Sequence, residues 1–449
     1  MELPTMATQP NVIVVVLDTV RADRVSALGY DRATTPAFDA FAADATLYAD
    51  AVSQASWSVP SHASLFTGEY PSDHGATITR PVLAAETVLP ELLSAGGYET
   101  YGISSNRYIR PATGFARGFD EFRMCSGGTE PAVAADILGP PVNWVTSTPA
   151  VRQPIERLFT VSRTNDAVTT DTATPADDGL LDSVSDVLER AGAPFFLFCN
   201  LLDAHLPRSP ARRSVEQFVD PALADAPIPK NERAFNMGDH ELEDRSQARL
   251  RQLYDADLRT LDDKLAELLD RFRTAGVLDD ALVVLVSDHG EQLGEFGLVG
   301  HQFSVFDSVV SVPLAIQFPD GRPARIDDQV EIRRLFETVL DETGLQSHPE
   351  RSLASGIGDD IARGSYASPM VDIEQILWGD SVRYEPDLLG EVLSFARTGD
   401  EKIISFDGES WLFELPEADN CSLPTTDRER YATLSESSEL DHRLARTEL

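Results

Sequence analysis

Four short runs of β-branched and aromatic residues punctuate the first three quarters of the chain: Asn11–Leu17, Pro194–Leu202, Ala281–Ser287 and Pro313–Phe318. None alternates polar with apolar positions. Each therefore reads as a strand covered on both faces, the kind found in parallel sheets. Between them the period changes. Leu180, Leu181, Val184, Val187 and Leu188 fall at helical spacing ahead of the second run. Leu250, Leu253, Tyr254, Leu261, Leu265, Leu268, Leu269 and Phe272 form a longer stripe that stops before Gly276. Helices alternating with doubly covered strands predict an α/β fold, a doubly wound, mostly parallel sheet flanked by helices.

The texture changes near residue 345. Glu401–Phe406 and Ser410–Leu415 are separated by Asp407-Gly408-Glu409, a hairpin signal. The expected organisation is a main α/β domain over 10–345, a small antiparallel C-terminal subdomain over 346–416, and an irregular acidic tail over 417–449. Cys125–Asp178, rich in Pro, Thr, Ala and Asp, predicts no particular element.

Composition narrows the function classes. Of 449 residues 42% are hydrophobic and 25% charged, enough for a large core. The formal net charge of −37 repels nucleic acid and anionic membranes, so neither is an expected partner. Asp (43) outnumbers Glu (31), and only Lys230, Lys264 and Lys402 are lysines. An Asp-heavy, Lys-poor surface is that of a salt-adapted cytosolic protein: at 1 M salt the Debye length is about 3 Å, and self-repulsion is screened. Three cysteines make no framework, and Cys199 is expected to be a buried apolar residue. There is no run of 18 apolar residues, and Met1–Pro10 has neither a basic nor an apolar leader segment. The expectation is a cytoplasmic protein without membrane insertion.

Sites in parallel sheets form outside the carboxyl ends of the strands. There the chain places Asp18-Thr19-Val20-Arg21, then Asp203-Ala204-His205, then Asp288-His289-Gly290-Glu291 followed by His301. One Asp after a strand is ordinarily a helix cap. Three strand ends that bring acids and imidazoles to one sheet edge are much harder to read as caps and point to a functional site. A further segment, Ser56–Gly68, has Pro60 placed to open a helix and Gly68 to close it. Ser58 then lies at or just before a helix N-terminus, where an anion is favoured and a hydroxyl can act as nucleophile. Alternatively, Ser58 or Ser61 merely caps the helix.

Together these segments resemble the sulfatase family of the alkaline phosphatase superfamily, with an acid-rich composition similar to its haloarchaeal-type members. Ser58 to Gly68 resembles the family signature. TPAFDAFAADATLYADAVS, LPELLSAGGYETYGIS, YDADLRTLDDKLAELLD, SDHGEQLGEFGLVGH and SWLFEL resemble family segments in family order, over about residues 11–415. The resemblance implies an alkaline-phosphatase-like fold and one divalent ion (Ca, Mn, Mg or Zn). Its ligands would be Asp18, Asp288, His289 and Ser58, with Ser58 as nucleophile. His205 and His301 would serve the leaving group or a substrate oxygen. Arg21 is read as an anion contact or an ordinary ion pair, and Asn106 and His62 as candidate substrate contacts. Thr19 stands where the family has a second Asp, no lysine falls in a motif, and His62 replaces the Arg read when the family's nucleophile becomes formylglycine. Both formylglycine and plain serine therefore stay open at Ser58. The implied activity is hydrolysis of small-molecule or glycan sulfate esters. The alternatives are a phosphate-ester hydrolase or phosphoryl transferase using unmodified Ser58, and a non-catalytic binding protein. Oligomeric state is not legible.

Overall fold

The structure, a computed structural model, describes residues 9–78, 80–125, 168–169, 179–230, 232–236, 241–367, 392–406 and 409–415. Eight strands make the central sheet: β1 (Val12–Leu17), β2 (Thr46–Val52), β3 (Glu99–Ser104), β4 (Glu121–Met124), β5 (Phe195–Leu201), β6 (Leu282–Val286), β7 (Ser311–Gln317) and β8 (Ala324–Glu331). Their order is β8-β2-β7-β6-β1-β5-β3-β4. β1 pairs in parallel with both β5 and β6 and so lies at the middle of the sheet.

The unbroken apolar runs have a direct cause. Val12, Val14 and Val16 of β1 enter one apolar layer, while Ile13, Val15 and Leu17 enter the other. Each such side chain contributes about 1.5–3 kcal/mol of burial, so neither face tolerates a polar position. One strand departs from the parallel pattern: β7 runs antiparallel to both β2 and β6. A doubly covered run carries no directional signal, and strand direction is set by the connection rather than by the strand's residues.

The helices that bear on the site are α1 (Pro36–Ala43), α2 (Ser58–Thr67), α3 (Leu89–Ala95), α4 (Leu180–Leu188), α5 (Asp244–Thr274) and α6 (Leu335–Glu342). The long apolar stripe becomes α5. Leu250, Leu253, Tyr254, Leu261, Leu265, Leu268, Leu269 and Phe272 are all buried, and Gly276 turns the chain at φ 68°.

A second sheet follows, β9 (Ala362–Ala367), β10 (Val392–Arg397), β11 (Glu401–Phe406) and β12 (Glu409–Glu414), antiparallel throughout. The expected hairpin is β11–β12, tighter by one residue than its sequence suggests because Glu409 pairs with Phe406. The 417–449 tail and nearly all of Cys125–Asp178 lie outside the described residues. Cys199 is fully buried in β5. Among the described residues no helix is long and apolar enough to cross a membrane.

Candidate active site

Three strand ends and one helix start converge at the carboxyl edge of the central sheet. Asp18 leaves β1, Asp288 and His289 follow β6, and Asn106 follows β3; all are buried. Ser58 is the first residue of α2, with extended Trp57 as its N-cap and Gly68 closing it at φ 74°. The helix thus begins two residues before Pro60. Proline fits there because the N–H groups of a first helical turn have no intrahelical acceptor to lose. Neither serine caps the helix: Ser58 lies inside it, and Ser61 Oγ donates to the Asp288 carbonyl at 2.7 Å.

Ser58 Oγ accepts a hydrogen bond from the Asn106 amide at 2.9 Å and lies 3.3 Å from His289 Nε2. The same amide donates to Asp18 Oδ2 at 2.7 Å. His289 Nδ1 is 2.9 Å from the Gly290 carbonyl, which can only accept, so the proton sits on Nδ1 and Nε2 presents a lone pair. One ligand atom from each of Asp18, Asp288 and His289 lies within 4.8 Å of the others. Burial, reinforced by the neighbouring Asp18 charge, pushes the Asp288 carboxyl well above the usual carboxylate range. Burial also lowers His289 to about 4, against the pull of Asp18. Two acids and a neutral imidazole are thus crowded together in one buried group.

The turn after β1 is held hard. Thr19 adopts φ 63°, a conformation that β-branched residues rarely enter. Its N–H reaches Asp288 Oδ1 at 3.3 Å, and its carbonyl accepts from the Tyr254 hydroxyl at 2.6 Å. That hydroxyl in turn accepts from the Arg21 N–H at 3.0 Å, and Val20 N–H bonds Ser287 Oγ at 2.9 Å.

His205 and His301 stand beside this group. Their ring centroids are 4.9 Å apart, and His301 is 4.4 Å from His289. His205 is half-buried, with Nδ1 turned to the Leu206 carbonyl at 2.5 Å, which leaves Nε2 as its outward atom. His301 Nδ1 faces Glu291 Oε1 at 3.4 Å, and its backbone N–H donates to Glu232 Oε2 at 2.9 Å. Glu291 also pairs with buried Arg208, which bonds Asp257 at 3.2 Å, so this second acid–imidazole group is tied to an arginine of the protein.

A sulfatase family model matches residues 10–345. The chain belongs to the sulfatase family. A sulfatase from Formosa agariphila is 25% identical over 387 residues, covering 77% of this chain and 72% of its own. Among solved structures, the phosphonate monoester hydrolase of Agrobacterium radiobacter superposes with a TM-score of 0.71 at 19% identity, over 98% of this chain and 96% of its own. A protein solved with its substrate D-glucosamine-2-N,6-O-disulfate superposes with a TM-score of 0.67 at 17% identity, over 98% of both chains. Relatives and structural neighbours are hydrolases of sulfate and phosphonate esters, and this sulfatase-family chain is an enzyme.

The sulfatase family usually binds a divalent metal. The residues here fit one. Among the described residues, Asp18 Oδ1 and Asp288 Oδ2 are buried and accept no hydrogen bond. An unsatisfied buried carboxylate oxygen is costly, and hard oxygen donors beside an imidazole lone pair suit a divalent ion of the Ca²⁺, Mg²⁺, Mn²⁺ or Zn²⁺ kind.

Two candidate substrate contacts are committed elsewhere. Arg21 donates to Asp23 at 2.8 Å, to Glu295 at 3.0 Å and to the Glu291 carbonyl at 3.0 Å. It is the ion pair of the two readings, and a buried one. His62 has Nδ1 on the Ser58 carbonyl at 2.8 Å and 3.4 Å from Asp288 Oδ2, and Nε2 3.3 Å from the Asn200 amide, so both nitrogens are engaged within the protein. Asn200 was missed at the level of sequence. Its amide also reaches Asp18 at 3.3 Å. The available signal was a lone amide inside the apolar run that became β5. Arg208 and Glu232 carried no such signal.

Proposed function

We propose that this sulfatase-family enzyme cleaves sulfate esters, on a small molecule or a glycan, through a nucleophile at Ser58 beside one divalent cation held by Asp18, Asp288 and His289. The observation that carries the reading is the placement of Ser58 Oγ against Asn106 and His289, next to two buried carboxylate oxygens that accept no hydrogen bond. The bound cation would polarise an ester oxygen and lower the pKa of the hydroxyl.

The chain's own groups do the rest. Asn106, bonded to both Asp18 and Ser58, orients Oγ and stabilises its developing negative charge. The first turn of α2 directs its dipole at the anionic ester. His205, its Nδ1–H held on the Leu206 carbonyl, protonates the departing alcohol oxygen from Nε2 in its doubly protonated form. His301, lying between His205 and His289, lines the leaving-group side.

A second reading, hydrolysis of phosphate or phosphonate esters, is favoured by one feature. His62 occupies the helix turn after Ser58 and is bonded to the Ser58 carbonyl, so the signature read during formylglycine formation is interrupted. Plain Ser58 suits a phosphoryl intermediate that water can hydrolyse. Two measurements separate the readings. Mass spectrometry of the Ser58 peptide distinguishes serine from formylglycine, which is lighter by two hydrogens. A panel of 4-nitrophenyl sulfate, phosphate, phosphodiester and phenylphosphonate, run with Mn²⁺ and with Ca²⁺, ranks the substrates. Fastest turnover of the sulfate supports the first reading, and preference for a phosphorus ester supports the second. No metal-stimulated turnover of any ester overturns both. The acid-rich composition further suggests a salt-adapted protein, so the panel belongs in molar KCl.

A further inference from the structure

The Asp288-His289-Gly290 turn does not stand alone. It is packed against the single-turn helix Asp307–Val310. Gly290 N–H donates to the Val309 carbonyl at 2.8 Å. A Cβ at Gly290 would lie 2.3 Å from the Ser308 carbonyl oxygen, so the backbones touch directly. The same short helix reaches the nucleophile's side of the site: Ser53 N–H donates to the Val310 carbonyl at 2.8 Å, and Ser53 Oγ lies 3.1 Å from Ser61 Oγ, which itself holds the Asp288 carbonyl.

The start of this helix is gripped from the second sheet. Lys402 Nζ, on β11, lies 2.8 Å from Asp307 Oδ1, and the lysine side chain is wholly buried. Arg397, its cross-strand partner on β10, lies 3.1 Å from Asp307 Oδ2. Arg397 continues to Asp50 on β2 at 2.9 Å and to Gln329 on β8 at 2.6 Å. One residue ahead of Asp307, Phe306 meets Phe413 of β12 edge to face at 5.8 Å. In a chain with three lysines, one is spent here, out of reach of solvent.

We propose that Lys402 and Arg397 are positioning residues for the Asp288-His289 turn: through Asp307, the C-terminal sheet fixes the short helix on which the proposed cation ligands rest. Because the grip is largely buried, salt screens it less than it screens exposed pairs. The inference rests on the reading that Asp288 and His289 bind a divalent cation.

The test measures Mn²⁺ affinity by isothermal titration calorimetry on the full chain, with thermal melting alongside. Lys402→Met removes the charge and leaves Asp307 its arginine, and Asp307→Asn provides the same readout should Lys402→Met fail to fold. Val184→Ala, on α4, is the control for general destabilisation. Asp288→Asn is the reference for direct ligand loss. The expected result is Mn²⁺ binding weakened about tenfold, equivalent to ~1.4 kcal/mol, in the clamp variants and unchanged in Val184→Ala. Unchanged binding in both clamp variants, with binding lost in Asp288→Asn, overturns the clamp alone. Equal weakening in Val184→Ala also overturns it. Unchanged binding in all four overturns the clamp and the ligand assignment together.

Discussion

Acidification should strip stability from this protein through one buried imidazole behind α2, the Ser58 helix. His74 is nearly inaccessible, at 6% exposure. Its Nδ1 accepts the Ala76 N–H at 3.1 Å, so the proton sits on Nε2, 3.1 Å from Ser64 Oγ on α2. Burial is the main reason that its pKa falls from 6.5 to about 4. The fold therefore holds the neutral ring, while the unfolded chain takes up a proton below about pH 6.5. The stability from this group is complete above that pH, is lost as pH falls, and is gone once the folded form protonates near 4. At about 1.4 kcal/mol per pH unit the full loss is about 3 kcal/mol, of which about 2 should be gone by pH 5. Burial pushes Asp262 up to about 6 and Asp257 up to about 7. Those groups act with the opposite sign and gain stability on acidification, so wild type alone cannot isolate His74. The measurement is urea unfolding of metal-free wild type and of His74→Asn, which keeps an acceptor for Ala76. The stability difference between the two should shrink by about 2 kcal/mol from pH 7 to pH 5. A difference that stays constant over that interval would refute the account of a ring held neutral by burial.

Three further outcomes are expected. Ser58→Ala should lower turnover by about 10³-fold or more while far-ultraviolet circular dichroism stays unchanged, since Oγ contacts only Asn106 and His289 among the hydrogen bonds described. Tyr254→Phe leaves the Thr19 carbonyl and the Arg21 N–H without their partner, at a cost of about 1–3 kcal/mol in denaturant unfolding. The same variant should loosen the strained Thr19 turn and raise the Mn²⁺ dissociation constant, and an unaltered constant would confine Tyr254 to a structural role. Melting temperature should rise between about 0.1 and 2 M KCl as the Debye length falls from about 10 Å to below 3 Å, and a flat response would end the salt-adapted reading of the −37 charge.

What the chain reveals before folding follows from how local each signal is. β1, β5 and β6 were legible because both their faces are buried, and Asp18, Asp288 and His289 because they directly follow such strands. The start of α2 was misplaced because Pro60 is comfortable anywhere in a first turn. The direction of β7 was hidden because its residues see the same apolar surroundings either way up. Asn106 could be flagged by position, yet its double bond to Asp18 and Ser58 depends on two elements distant in sequence. Arg21 and His62 resemble ligand contacts in a string of letters, and only three-dimensional neighbours reveal that Glu295 and Asn200 occupy them. Lys402 looks like an ordinary alternate position in a strand, because nothing local announces that Asp307 waits opposite.

The central place of β1 governs when the enzyme can exist at all. Val12 is paired on one side with Phe196 and on the other with Leu282, so β1 must wait for the much later β5 and β6 before its flanks are covered. Closing such long loops is slow, and an uncovered apolar ribbon invites association with other chains. A nascent chain stalled before β6 holds the serine helix but has no Asp288 or His289 to set beside it. Catalytic competence should therefore arrive in a single late step of synthesis, with chaperone dependence concentrated in the interval that precedes it.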